Sequence, residues 1–288
     1  MSSKLNGSKV HGLMLVALFV FQNYSEGITQ TTTYNLPESL VEISGMEFLN
    51  DSTLVAINDG GNEAVLYLMN TEGELIKTVK IENASNKDWE DLASDGEHLY
   101  IADVGNNFSK RKKLKIYKVD IDDLLTKDEV TAEKITFSYG DQEAFPPGKD
   151  SLYYDSEGIV YKNDSLWIFT KTKADPWDGI AFVYKVPALK GKYTLVKQHE
   201  IHIGDDGWWA DAITAADLYG DKFYLTTYDR LIVGTFEGEE FKQEKSIYFD
   251  NLTQKESVLV KDNKTVFISD EKHNILGGGK LYKMILND

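Results

Sequence analysis

Beyond about residue 27, apolar and polar positions alternate along the chain with a period of two. The runs are short, and Gly, Asn, Asp or Pro break them. That period belongs to half-buried β-strands, whose successive side chains point to opposite faces. It predicts a strand over 28–36, stopped by Pro37. Four groups of strands follow: 41–48, 53–58, 64–69 and 75–81; then 89–94, 98–103, 114–119 and 133–138; then 158–162, 165–170, 181–186 and 193–201; then 211–218, 223–227, 231–236 and 246–249 (or from 241). A fifth group has three, at 257–261, 265–269 and 280–286, and a single helical turn is expected at 121–125. Asp59-Gly-Gly-Asn62 and Glu72-Gly73 supply turn chemistry, because Gly and Asn accept positive φ.

The first two strands of each group form a hairpin with marked ends. Asp88-Trp-Glu-Asp-Leu-Ala93 leads through a polar tip to Tyr100-Ile-Ala-Asp103. Related hairpins start at Glu42, Glu157, Thr214 and Glu256 and return to Asp59, Lys171, Tyr228 and Asp270. The closing residue follows the opening one by 13 positions (Glu90), 14 (Glu157, Thr214, Glu256) or 17 (Glu42). Openings recur every 42 to 67 residues, which suits four-stranded repeats of ~40–50 residues with loop insertions. The expected fold is an all-β, five-bladed β-propeller, closed by the 28–36 strand completing the last blade. A six-bladed ring, if the long second repeat hides another blade, and a β-sandwich are the alternatives.

Composition agrees with one all-β domain. Sixteen Tyr and thirteen Phe favour pleated, half-buried surfaces. A formal charge of −16 argues against nucleic acid, which needs a basic stripe; the one basic run, Lys110 to Lys113, reads as a solvated loop. Residues 1–26 carry Lys4 and Lys9 before an apolar stretch too short to span a bilayer, as an export signal does. Cleavage is expected within 23–27, leaving 27–288 as a single domain in the periplasm, on the cell surface or secreted. A bare N-terminal anchor is the other reading. No cysteine is present, so neither a lipid-anchored thiol nor a disulfide is available. No further apolar run reaches membrane length.

In a propeller the inner strands line a central channel and the loops leaving them form its mouth. Glu42, Glu90, Glu157 and Glu256 are expected to ring that mouth, with Asp59, Asp103 and Asp270 as a second set. Gathered carboxylates raise one another's pKa unless a cation neutralises them, and an all-oxygen donor set suits Ca²⁺. The competing reading makes each acid a strand-end cap, repeated because the fold repeats. Lys171 stands where other repeats carry an acid, and Thr214 and Tyr228 replace both acids of the fourth. Repetition for structure alone has no reason to prefer a lysine there, whereas a polarised site does. Asn62 and Asn106 lie in two matching Asp-x-Gly-Asn turns, and Trp208 precedes the fourth inner strand; all three are candidate ligand contacts, though Trp208 also suits packing between blades. Asp88 and Asp155 stand two residues before their glutamates, on the same strand face, as supporting ligands. The two histidines of His199-Glu-Ile-His202 face opposite sides of a strand and make a poor zinc pair.

The elements Glu42-Ile-Ser-Gly45, Asp88-Trp-Glu-Asp-Leu-Ala93, Tyr100-Ile-Ala-Asp-Val-Gly-Asn-Asn107, Asp155-Ser-Glu-Gly158 and Ile213-Thr-Ala-Ala-Asp217 resemble secreted bacterial propellers related to the SdiA-regulated and "esterase-like activity of phytase" families. The resemblance covers roughly residues 38–275. It implies a calcium-associated propeller, with metal candidates at Glu42, Asp59, Glu90, Asp103, Glu157 and Asp270. Here Ser156 and Gly158 replace the Ala residues common around the matching glutamate. The expectations are therefore an exported Ca²⁺-binding propeller taking a small-molecule or glycan ligand; a metal-dependent hydrolase of a phosphoester, ester or lactone, with Glu90 or Glu157 as base and Lys171 steadying the anion; or a surface scaffold.

Overall fold

The computed structural model describes residues 27–287; the expected export signal lies outside them. Five sheets stand around one axis, antiparallel except where the outermost strands of the first two blades pair parallel to their neighbours. Blade I runs from the inside outward through Ile43–Asn50, Thr53–Asn58, Val65–Asn70 and Leu75–Ile81, with the two-residue Glu129–Val130 outermost. Blade II comprises Trp89–Ser94, His98–Asp103, Leu114–Asp120, Glu133–Tyr139 and Gly191–Leu195. Blade III comprises Ser156–Lys162, Ser165–Thr170, Ile180–Pro187 and Lys197–His202. Blade IV comprises Ala215–Tyr219, Lys222–Thr226, Arg230–Glu237 and Glu240–Tyr248. In blade V, Lys255–Val260, Thr265–Asp270 and Lys280–Leu286 are completed by Ile28–Asn35, which pairs antiparallel with Lys280–Leu286. The ring closes as expected, by joining the two ends of the described chain in one sheet. Among the described residues no helix is long and apolar enough to cross a membrane.

Two expected strands change. The run over 193–201 is two strands, Gly191–Leu195 and Lys197–His202, belonging to different blades. Leu195 is buried, and its carbonyl accepts the Gly140 N–H at 2.8 Å. Val196, 69% exposed, is where the chain crosses between sheets. Gly191–Leu195 then runs parallel to Glu133–Tyr139, and Leu195 joins Phe137, Tyr139 and Tyr184 in one apolar cluster spanning blades II and III. The expected strand over 211–218 instead begins as a short helix, Trp208–Asp211, and the strand proper is Ala215–Tyr219. Asp211 accepts N–H groups of Asp206 and Gly207 through Oδ2 and the guanidinium of Arg230 through Oδ1 at 2.5 Å, which anchors the turn.

Inner strands touch their neighbours all the way round the axis. Glycine permits the closest approaches. A Cβ on Gly45 would lie 2.8 Å from the Asp91 backbone, and one on Gly158 would lie 2.9 Å from the Ala216 nitrogen. In the same register blade II carries Asp91, and its buried carboxylate occupies the axis. Oδ2 accepts the N–H of Ile159 at 2.9 Å and of Ala216 at 3.4 Å, while Oδ1 accepts Leu92 N–H at 2.8 Å. One side chain thus ties blades II, III and IV.

Candidate metal and ligand site at the channel mouth

Four of the five inner hairpins carry a bulge at the same place. Pairing passes from Ile43–Asn58 to Gly45–Ile57, from Trp89–Asp103 to Asp91–Ala102, from Ser156–Thr170 to Gly158–Phe169, and from Lys255–Asp270 to Ser257–Ser269. The extra residue is Ser44, Glu90, Glu157 or Glu256. A bulge turns one side chain away from the ordinary alternation, and here all four line a single pocket at the mouth. Blade IV lacks this bulge, and Thr214 there donates its N–H to the Thr226 carbonyl at 2.9 Å.

This register corrects the equivalences drawn from spacing. The blade I counterpart of Glu90, Glu157 and Glu256 is Ser44; Glu42 corresponds to Asp88, Asp155 and Gln254. On the return strands Asn58, Asp103, Thr170 and Asp270 share one position, and Asp59, Lys171 and Glu271 share the next. Asp103 and Asp270 therefore face away from the mouth, because one residue along a strand reverses the side-chain direction. Asp103 instead receives the Arg111 guanidinium at 2.6 Å, so the basic run is not wholly solvated: Arg111 folds inward. Asp270 accepts from Thr253 at 2.5 Å and Tyr282 at 2.7 Å and pairs with the fully buried Lys255 at 3.5 Å.

The mouth pocket has a volume of about 210 Å³. Asp59, Glu90, Glu157, Glu256 and Glu271 line it against two cations, Lys171 and Lys173. Asp88 and Asp155 stand behind. Oxygens of Asp59, Asp88 and Glu90 lie within 4.8 Å of one another, as do those of Glu90, Asp155 and Glu157. These buried acidic triads share Glu90 and could hold a metal ion. Gly60 and Gly105 make the room: a Cβ on Gly60 would collide with the Asp88 carboxylate, and one on Gly105 with those of Glu90 and Asp88.

Partners are distributed unevenly. Asp155 is satisfied, accepting Asn106 N–H at 2.6 Å and pairing with Lys173 at 2.7 Å. Glu157 faces Lys171 at 3.3 Å, and Glu256 faces it at 3.9 Å. Glu90, only 5% exposed, has no hydrogen-bond donor or cation on its carboxylate among the described residues. Burial, then the charge of Glu157, holds its pKa well above the ordinary range. Burial likewise lifts Asp59 to about 6 and, with the charge of Glu256, Glu271 to about 8. Burial raises Glu157 and Glu256 too, against the opposing pull of Lys171. Burial and the mutual repulsion of neighbouring carboxylates thus both oppose ionisation at these positions.

The other side of the pocket is aromatic and basic. Lys171 Nζ donates to the Tyr228 hydroxyl at 3.0 Å and lies 5.4 Å from the Trp208 ring and 5.1 Å from that of Tyr228. Trp208 packs edge-on to Tyr228 at 5.4 Å, and its buried indole N–H has no partner among the described residues.

Glu90, Glu157, Lys171, Tyr228, Trp208, Asp59 and Glu256 thus come together at the mouth. Glu42 and Asn62 stay beside it, bonded to each other at 2.7 Å. Asn106 is buried beneath, its amide donating to the Tyr154 carbonyl at 3.0 Å, and Thr214 packs against Thr226. His199 stacks on Trp167 while His202 faces Asp205, on opposite sides of the strand. Ser44, Asn107, Lys173, Gln254 and Glu271 line the pocket without having been expected. Glu271 had a signal in the sequence: it follows Asp270 as Lys171 follows Thr170.

No known protein family and no curated protein matches the sequence, so the resemblance to SdiA-regulated and esterase-like phytase propellers rests on its short motifs. Solved structures do match in fold. The glutaminyl cyclase of Myxococcus xanthus superposes with a TM-score of 0.50 at 13% identity, over 92% of this chain and 99% of that one. PQQ-bound aldose sugar dehydrogenase from Streptomyces coelicolor gives 0.49 at 9% identity, over 90% and 99%. Virginiamycin B lyase from Staphylococcus aureus gives 0.42 at 12%, over 88% and 69%. At such identities the shared property is the propeller, not its chemistry.

Proposed function

We propose that this chain is an exported, Ca²⁺-dependent binding protein whose ligand enters the channel mouth. The cation reading rests on Glu90, a carboxylate shared by two acidic triads that opens on the pocket with no protein donor or counter-charge among the described residues. Asp59, Asp88, Glu90, Asp155 and Glu157 would hold the ion, and their oxygen-only donor set favours Ca²⁺ over softer metals. Bound there, Ca²⁺ would offer a Lewis-acidic point to an oxygen of the ligand. Lys171, Tyr228 and Trp208 would orient the ligand from the opposite wall, the free indole N–H supplying a further donor. Export rests on the composition of the first 26 residues.

Calorimetric titration of the EDTA-treated protein with CaCl₂ tests the reading. Heat of binding and a rise in melting temperature are expected for the wild type and not for Glu90→Gln. A wild type indifferent to both Ca²⁺ and EDTA would remove the cation.

One contact favours hydrolysis as a second reading: Lys171 is held between Glu157 and the Tyr228 hydroxyl in the same pocket as Glu90. Lys171 would stabilise a developing oxyanion, and Glu157 or Glu90 would take the proton from water. Turnover of p-nitrophenyl esters or phosphates, lost in both Lys171→Met and Glu157→Gln, is its signature. A panel without turnover leaves the binding reading alone.

A further inference from the structure

The loop that carries Asn107 to the pocket also builds a surface that neither the cation nor the pocket uses. From Gly105 to Lys113 it is braced at alternate points. Asn106 is buried, and its side-chain oxygen accepts the Arg111 N–H at 2.8 Å. Ser109 is buried, and its carbonyl accepts the Gln142 amide at 2.6 Å. Arg111 donates to the Asp103 carboxylate and to the Gly105 carbonyl at 2.5 Å. Between these anchors the loop holds Phe108 outward, 71% exposed. Lys110 Nζ sits 5.0 Å from the Phe108 ring, and Lys112 Nζ lies 5.1 Å from that of Phe145 on the neighbouring loop. Lys110, Lys112 and Lys113 are exposed, and none has an acid within ion-pairing distance among the described residues.

In a chain of net charge −16, three unneutralised lysines on one short loop that also carries a solvent-facing aromatic ring are out of character. Lysine stems and heads over aromatic faces make a surface that takes the flat face of a ring and its negative substituent together. The surface also continues into the pocket, since Lys173 donates to Asn107 and both line it.

We propose that this lip binds an acidic polysaccharide, a chain of sugar rings bearing about one carboxylate each. Phe108 stacks on a sugar face, and Lys110 and Lys112 meet successive carboxylates. Single-stranded nucleic acid carries a comparable charge per unit length and meets the same acidic remainder, so the measurement sets it against the uronate. The inference rests on the ligand half of the function proposed above and not on the cation.

Binding of tetragalacturonate is measured by calorimetry, with neutral maltotetraose as control and Phe108→Ala and Lys110→Ala/Lys112→Ala as variants. None of these residues touches the acidic triads, so each variant keeps the wild-type response to Ca²⁺, which reports an intact fold and pocket. Expected are micromolar-to-millimolar binding that weakens with salt, a loss of about tenfold in each variant, and no binding of maltotetraose. Equal affinity in both variants, or equal binding of the neutral sugar, overturns the proposal. So does preferential binding of single-stranded DNA or phosphatidylglycerol vesicles over the uronate. Uronate binding with no Ca²⁺ response in the wild type would refute the cation reading and leave the lip standing.

Discussion

Glu90→Gln separates a cation site from a structural cluster because the two predict opposite signs. Glu90 is common to both triads, so Asp59, Asp88, Asp155 and Glu157 all bring an oxygen within 4.8 Å of it. At that distance, with an effective dielectric constant of about 20, each ionised pair repels by about 3 kcal/mol. Lys173 relieves Asp155 and Lys171 relieves Glu157, but among the described residues no cation relieves Glu90 itself. A metal-free wild type must therefore hold Glu90 protonated at neutral pH or bear the repulsion. Glutamine, nearly the same shape and uncharged, does neither. In EDTA the variant should be the more stable protein, by about 1–3 kcal/mol, each kcal/mol raising the melting temperature by about 2–4 °C in a domain of this size. Calcium reverses the order. At about a hundred times its dissociation constant, a ligand bound only by the folded state stabilises by about 2.7 kcal/mol, and the variant forfeits most of that. Differential scanning calorimetry in EDTA and across a CaCl₂ series measures both effects. A variant less stable than wild type in EDTA, with an undiminished response to calcium, would mean that Glu90 is an ordinary structural acid.

Lys171→Met should cost about 3–5 kcal/mol in urea unfolding, because it strands Glu157 and Glu256 in the pocket; adding Glu157→Gln should restore part of the loss. Asp217, half-buried between blades IV and V with its oxygens on the Val260 and Leu218 N–H groups, has its pKa lifted by desolvation to about 7. The folded chain therefore keeps a proton that the unfolded chain has released, so stability falls as pH rises from about 4 through 7. Asp217→Asn should flatten that slope, and urea midpoints at pH 5 and pH 8 that fall as steeply in the variant would discount the group. Deleting residues 27–35 uncovers the edge of Lys280–Leu286 and opens the ring, which should appear as aggregation in size-exclusion chromatography and a broadened melt. A sharp, monomeric, wild-type-like transition would show that closure is dispensable.

Strands, turns and blade count were legible because they depend on local pattern. Alternation of apolar and polar residues records which face of a strand is buried, and Gly, Asn and Asp mark where the backbone must turn. The hairpin repeat and its closing strand over 28–36 could be read on that basis, as could the convergence of Glu90, Glu157 and Glu256 on one mouth. Local pattern does not carry a one-residue register. The bulge that puts Ser44, rather than Glu42, beside those glutamates is a property of strand pairing. So is the step that separates Asp59, Lys171 and Glu271 from Asp103 and Asp270. Likewise 193–201 reads as a single strand, yet its two halves serve different blades because Leu195 finds its apolar partners in blade II. The identity of the acids came from the chain; which of them share a pocket, and which remain without a counter-charge, was decided by packing the inner strands around a common axis.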